Sequence, residues 1–377
     1  MNHSRDIKLI AFYLPQFHPI PENDEWWGKG FTEWTNVMQA KPLFRGHYQP
    51  RLPADLGFYD LRVPEVREEQ AKLARDHGID AFCYWHYWFG NGKRLLERPF
   101  EEVLRTGRPD FPFCLGWANE SWTGQWNGEP HRALLAQRYP GKADYEAHFY
   151  SLLPAFRDSR YVRIKNRPLF YVYKPTELPD ANAFTRTWTE CARREGIESF
   201  YFVAGGWYKS FAHNSDFSPE AAGFDATNAV GPRMFGRRPL LGRVKRKIVK
   251  TFGGFGNRVD YTEAVESMLD DVAGSLPNLP TILAGWDNTP RMGKEGWVLT
   301  GYQPETLRPQ VTKALVKALG LPEHQRIVFV KSWNEWAEGN YLEPDLRFGL
   351  HFLDVIRDAT MRQSRHDGLR HSTEGYS

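Results

Sequence analysis

Eight short β-rich runs, most followed by an amphipathic stretch, are the feature that most narrows the folds open to this chain. They are KLIAFYL (8–14), IDAFCYW (79–85), FPFCLGW (111–117), PLFYVYK (168–174), SFYFVAG (199–205), GFDATNA (223–229), PTILAGW (280–286) and RIVFVKSW (326–333). None alternates strictly between apolar and polar residues, which is how strands covered on both faces read. Between them lie helical patterns. VPEVREEQAKLARDHG (63–78) opens on Pro and closes on Gly, and DYEAHFYSLLPAFRD, NAFTRTWTECARREG, YTEAVESMLDDVAG, QPETLRPQVTKALVKALG and LRFGLHFLDVIRDAT are similar. Strands alternating with helices eight times predict an α/β fold, a (β/α)8 barrel in a single domain over residues 1–362. GFDATNA has the weakest strand character. A doubly wound sheet is the alternative, but it usually has fewer strands, and no Gly-rich phosphate turn follows the first run.

The connections are uneven. Residues 15–64 form one long segment after the first strand, and loops of that length in a compact fold are usually functional. Residues 232–259 carry nine Lys or Arg and no acid, and read as an insertion after strand 6. That insertion is either a solvated surface excursion or a contact for a polyanion, a membrane surface or an acceptor. Residues 363–377 are polar and read as a disordered tail.

Lys plus Arg number 49 and Asp plus Glu 46, a net charge of +3 that argues against a nucleic-acid partner. Cys83, Cys114 and Cys191 show no paired spacing, so a reducing compartment is expected. The start has neither the apolar length nor the cleavage pattern of a signal peptide, and no apolar run is long enough to span a bilayer. A cytoplasmic protein follows, with peripheral membrane contact through 232–259 as an open alternative.

Aromatic residues make up 15% of the chain, and many Trp sit beside Glu, Asn, His or Gly. Indole faces next to hydrogen-bonding groups suit sugar rings, whose C–H faces stack while their hydroxyls need polar partners. Active sites of such barrels lie at the C-terminal strand ends. Those ends offer Tyr13, Gln16 and His18, with Glu33 and Trp34 further along the first connection. The next strands supply Trp85 and His86; then Trp117, Asn119, Glu120 and Trp122; then Lys174 and Trp207. Trp286, Asp287 and Asn288 follow strand 7, with Arg291 a ready salt-bridge partner for Asp287. Strand 8 leads into KSWNEWAEGNYLEPD, with Trp333, Asn334, Glu335, Trp336, Glu338 and Tyr341. His18 and His86 read as hydrogen-bonded wall residues.

Glycosidic cleavage needs a proton on the leaving oxygen and a second carboxylate as base or nucleophile. Glu335 and Glu338 are three apart on a segment leaving a buried strand, so a tight turn brings both to one cavity. Adjacent carboxylates split their pKa values, and the higher one stays protonated near neutral pH. An E-x-x-E pair alone is also a common helix-surface pattern; its position after a β run, between Trp333 and Trp336, is what singles it out. The sequence has no G-x-S-x-G, P-loop, H-E-x-x-H or zinc-spaced Cys pair, and no metal or other cofactor is expected.

IAFYLPQFHPIPENDEWWGKGFTEWTNV, GHYQPRLPADLGFYDL, WANESW, GWDNTPR and KSWNEWAEGNYLEPD resemble the WbsX-type family of polysaccharide-biosynthesis proteins over roughly residues 6–360. That family is similar to glycoside hydrolase family 99, the endo-acting α-mannosidases and mannanases. The resemblance implies a (β/α)8 barrel and a retaining, metal-independent mechanism. Glu335 is then the base toward the sugar's own 2-hydroxyl, giving a 1,2-anhydro sugar, and Glu338 the acid/base. Ala337 stands where the mannosidases often carry His, which bears on the sugar accepted. The expected function is cleavage of an α-linked sugar in a bacterial polysaccharide or oligosaccharide. The alternatives are a glycosyltransferase or transglycosylase in O-antigen or capsule assembly, and a non-catalytic carbohydrate-binding barrel.

Overall fold

Eight parallel strands form one curved sheet. They are β1 (Lys8–Tyr13), β2 (Ala81–Trp88), β3 (Phe113–Trp117), β4 (Arg167–Val172), β5 (Tyr201–Gly206), β6 (Ala226–Ala229), β7 (Thr281–Leu283) and β8 (Ile327–Lys331). The computed structural model describes residues 6–124, 129–206, 217–230, 254–266, 268 and 275–374. Hydrogen-bonded neighbours run β6-β5-β4-β3-β2-β1-β8-β7. Between β6 and β7 the ring closes through a parallel bridge of Thr227 with Asn278. Asn228 reinforces the seam by donating to the Leu279 carbonyl and the Thr281 hydroxyl, each at 2.8 Å. Every strand expected from the sequence is present, GFDATNA included, and the barrel is closed rather than doubly wound.

The barrel interior is a stack of rings. Phe12 lies face to face with Trp85 at 4.6 Å and with Phe329 at 5.2 Å, and edge-on to Tyr171 at 5.0 Å. Rings this large leave no room on the neighbouring strand: a Cβ at Gly205 would sit 2.3 Å from the Tyr171 hydroxyl. Helices α1 (Pro21–Trp27) and α2 (Glu33–Gln39) belong to the long first connection, and the outside is covered by α3 (Pro64–Asp76), α4 (Arg98–Thr106), α5 (Lys142–Arg157), α6 (Ala181–Arg194), α7 (Tyr261–Glu266), α8 (Pro304–Leu319) and α9 (His351–Glu374). Pro64 at the first turn of α3, with Glu65 beside it and Arg75 at the last turn, matches the helix-end chemistry.

The segment 15–64 folds over the mouth of the barrel. Tyr59 reaches Glu343 at 2.8 Å, and the Ala54 amide donates to the Pro344 carbonyl at 2.9 Å. Most of the basic segment 232–259 lies outside the described residues; its end, Arg258–Asp260, pairs in parallel with Val298–Thr300. Helix α9 runs past residue 363, where the sequence reading began a polar tail. Among the described residues, no helix is long and apolar enough to cross a membrane.

Candidate active site

A cleft of about 540 Å3 opens at the C-terminal ends of the strands. Its floor is built by the chain leaving β8. Lys331 ends the strand, Asn334 and Glu335 pair in antiparallel with Tyr341 and Asn340, and Trp336–Glu338 coil into a single 3-10 turn. Gly339 closes that turn in the left-handed region at φ 55°, where a Cβ would lie 2.7 Å from the Asp287 side chain. Asn334 fixes the start of the excursion, accepting from the Leu14 amide at 2.7 Å and donating to the Leu14 carbonyl at 3.1 Å. Both glutamates therefore point into one cavity although they leave the strand only three residues apart.

Glu335 is buried, and its Oε1 accepts from Lys331 Nζ and from Trp85 Nε1, each at 3.2 Å. Burial pushes its carboxyl up, but the Lys331 ammonium, hydrogen bonds from Glu338 and Trp85, and Arg291 outweigh it and hold the group down at about 2. Glu338 is equally buried, and its Oε1 accepts from Arg291 Nη1 at 2.7 Å. Lys331 lies 4.0 Å from its other oxygen. Burial and the neighbouring Glu335 charge push Glu338 up to about 8 against the pull of Arg291 and Lys331. A third carboxyl, Glu33 from α2, accepts from Arg291 Nε at 3.1 Å and from Arg291 Nη2. Burial raises its pKa despite Arg291. Three carboxyls thus face two cations, and one proton balances the charge. The opposite shifts put that proton on Glu338.

Of the residues expected at the site, Gln16, Glu33, Trp85, Glu120, Trp122, Trp286, Asn288, Glu335 and Glu338 line the cleft. Lys174 lines it too, paired with Glu120 at 2.8 Å. Apart from Trp207, the remaining expected residues lie behind this wall. Asp287 accepts from Gln49 at 2.7 Å and from Thr289 Oγ1 at 2.6 Å, meets the His47 ring at 2.8 Å, and has Arg51 at 3.5 Å. It ties the first connection to the turn after β7. Arg291, expected as its salt-bridge partner, spans Glu33 and Glu338 instead. Asn119 is a buried strut between Tyr139 and the Lys174 backbone.

The deeper aromatics pack as core. Tyr13 donates to Gln70 at 2.7 Å, Trp34 to the Tyr59 carbonyl at 2.8 Å, and Trp117 to the Trp88 carbonyl at 3.0 Å. Trp333 is fully buried against Phe82, and Trp336 stacks on Tyr341 at 3.8 Å. Trp336 Nε1 also donates to Glu343 at 2.7 Å; burial pushes that carboxyl up to about 7 even with Gln70 and Tyr59 donating as well. His18 and His86, expected as hydrogen-bonded wall residues, do not line the cleft; burial lowers them to about 4 and about 3, and His86 meets His148 at 2.9 Å. Trp207 lies outside the described residues. Sequence reading missed Lys331, hidden as the last residue of an apolar strand, and the rim aromatics Trp27, Phe31, Tyr173 and Trp297.

This geometry has relatives. The barrel resembles the GH99 endo-alpha-mannosidase from Bacteroides thetaiotaomicron, with a TM-score of 0.55 and 12% identity over 95% of this chain and 98% of that one. A glycoside hydrolase-like protein matches with a TM-score of 0.59 and 14% identity, over 96% and 95% of the two chains. At these identities the likeness establishes the fold. The uncharacterized protein WxcX of Xanthomonas campestris pv. campestris is 41% identical over 356 residues, which is 94% of this chain and 50% of WxcX. The chain thus spans about half the length of the curated relatives it matches. The model of one family, described as glycosyltransferase WbsX, matches residues 9–356, and the chain belongs to that family.

Proposed function

We propose that this barrel is a carbohydrate-active enzyme that cleaves an α-linked sugar of a bacterial polysaccharide with retention, through a 1,2-anhydro sugar. The carrying observation is the Glu335–Glu338 pair, buried together on the cleft floor with one carboxyl held ionised and the other held protonated. The hydrogen bonds made to each carboxyl support these roles. Lys331 and Trp85 occupy Oε1 of Glu335, leaving Oε2 as the basic atom. Arg291 occupies Oε1 of Glu338, so the proton sits on Oε2.

Glu335 takes the proton of the sugar's 2-hydroxyl as that oxygen attacks the anomeric carbon. Glu338 gives its proton to the departing glycosidic oxygen, and the bond to the leaving group breaks. Water then enters, loses a proton to Glu338 and opens the anhydro ring, while Glu335 returns its proton to O2. Two inversions give retention, and both carboxyls end as they began. Trp85, Trp122 and Trp286 on the wall suit the C–H faces of the sugars. Transfer to a sugar hydroxyl in place of water uses the same pair, and the family description favours it as a second reading.

The test is product analysis by mass spectrometry in ¹⁸O-labelled water. The substrates are the organism's surface polysaccharide and its lipid-linked precursors, with and without nucleotide sugars. The expected result is label at a new reducing end without any nucleotide. Chain growth that requires a nucleotide sugar and incorporates no label would overturn the cleavage reading.

A further inference from the structure

We infer that Glu33 is a positioning residue for the acid–base pair: by clamping Arg291 and the 336–338 turn, it sets which oxygen of Glu338 carries the acidic proton. The inference rests on the roles proposed for Glu335 and Glu338. Glu33 is the first residue of α2, at the end of a long excursion from β1, and its amide donates to the Gln16 carbonyl at 3.1 Å. Its side chain is 1% exposed. It grips the active-site turn twice, through Nε and Nη2 of Arg291 and through a hydrogen bond from the Ala337 backbone amide. Arg291 is held on Glu33 by its Nε–Nη2 edge, and its bond to Glu338 runs from Nη1 to Oε1.

Without Glu33, the Nε–Nη2 edge loses its carboxylate and the guanidinium can turn to take both Glu338 oxygens, the geometry an arginine prefers with a carboxylate. Glu338 would then be a fixed anion with no proton to give. The charge count points the same way. Glu33, Glu335 and Glu338 face Arg291 and Lys331, and three carboxyls against two cations retain one proton. Removing the Glu33 charge leaves two against two and no electrostatic need for that proton.

The groups facing Glu338 come from several elements. They are Lys331 and Glu335 at the end of β8 and Arg291 from the Thr289–Met292 turn; Glu33 from α2 and the Tyr87 phenol from β2, which also lies near Glu120, meet this group through Arg291 and Glu335. Asp287 touches Glu338 only through its backbone amide, which donates to the Glu338 carbonyl at 2.6 Å. The position of Ala337 gains a reason too: its backbone, not its side chain, serves the site.

The experiment is a pH titration by NMR of the full chain labelled with ¹³C at the glutamate side-chain carboxyl. The Glu338 signal is assigned by its loss in Glu338→Gln. Glu33→Gln is expected to lower the Glu338 midpoint by about one pH unit or more, the usual effect of a freed adjacent cation. An unchanged midpoint in a folded Glu33→Gln protein would overturn the inference. If that variant does not fold, Glu33→Asp carries the test: a carboxylate one methylene shorter cannot hold both Arg291 and the Ala337 amide, so the midpoint is expected to fall, and an unmoved midpoint would overturn the inference equally. The titration needs no substrate. A midpoint that moves as expected in a protein that cleaves nothing would therefore retire the functional reading and leave the clamp standing.

Discussion

Replacing Lys331 with Met removes the ammonium that keeps Glu335 ionised, and its consequence can be worked from one distance. Lys331 Nζ lies 3.2 Å from Glu335 Oε1. At an effective dielectric of about 20, that contact carries about 5 kcal/mol. The full conversion is nearly 4 pKa units, at about 1.4 kcal/mol per unit. Arg291 and the Trp85 indole still favour the anion in the variant, and water admitted beside Met adds screening. A net rise of about 2 units is therefore expected, from about 2 toward the ordinary carboxylate range. The sign follows from the role. In the proposed mechanism Glu335 acts as the anion, so kcat/KM is expected to fall as pH drops through its pKa. Loss of Lys331 moves that acidic limb upward by about 2 units. The alkaline limb belongs to Glu338, which must stay protonated and which Lys331 also pulls down, so it shifts upward as well. The two limbs belong to the coupled pair and are read as macroscopic values. The assay is kcat/KM between pH 3 and pH 10 on the glycan cleaved in the labelling experiment, with near-UV circular dichroism to confirm the fold. An acidic limb that stays in place in a folded Lys331→Met enzyme would refute the electrostatic account of Glu335.

Glu338→Gln should lose turnover on natural glycans but keep the first step on activated aryl glycosides, whose leaving groups need no proton; equal loss on both, read by burst kinetics, would remove the acid role. Glu335→Gln should fail on both classes, and normal turnover would take it out of the mechanism. Stability gives an independent reading of the same proton. The folded chain holds the Glu338 proton up to about 8, whereas the same carboxyl in the unfolded chain loses it at its ordinary 4.5, so wild-type stability falls as pH rises between those values. Glu338→Gln removes that penalty and should be more stable than wild type at pH 8 by a few kcal/mol, with the gap closing at pH 4; denaturant melts at both pH values would detect its absence. Asp287→Ala strands His47, Gln49 and Thr289 and should cost about 3 kcal/mol or more, seen as a lower melting temperature with early proteolysis in the 44–51 segment. A melting temperature equal to wild type would contradict its place as a tie.

Much of the barrel was legible because each strand is buried on both faces and announces itself as a short unalternated run. Even GFDATNA, polar for a strand, is one: Asn228 spends its amide on the β6–β7 seam, a use that no local pattern reveals. The site was legible at the level of which strand ends matter. Within those ends, residues that look alike went different ways. Trp85 and Trp286 reach the cleft, while Trp117, Trp333 and Trp336 turn into the core under it. Asp287, Asn119 and Asn334 look like ligand-binding groups and serve as struts.

The sequence by itself determined the periodicity, the strand count and the proximity of Glu335 to Glu338, because these depend on neighbours along the chain. Only the tertiary structure decided what those carboxyls are. Arg291 and Glu33 are 258 residues apart, and Trp85 and Glu335 are 250 apart. A carboxyl's proton is set by the charges and the burial within a few ångströms of it, and here the Arg291, Glu33 and Trp85 part of that surrounding comes from other strand ends, brought together by the closed barrel.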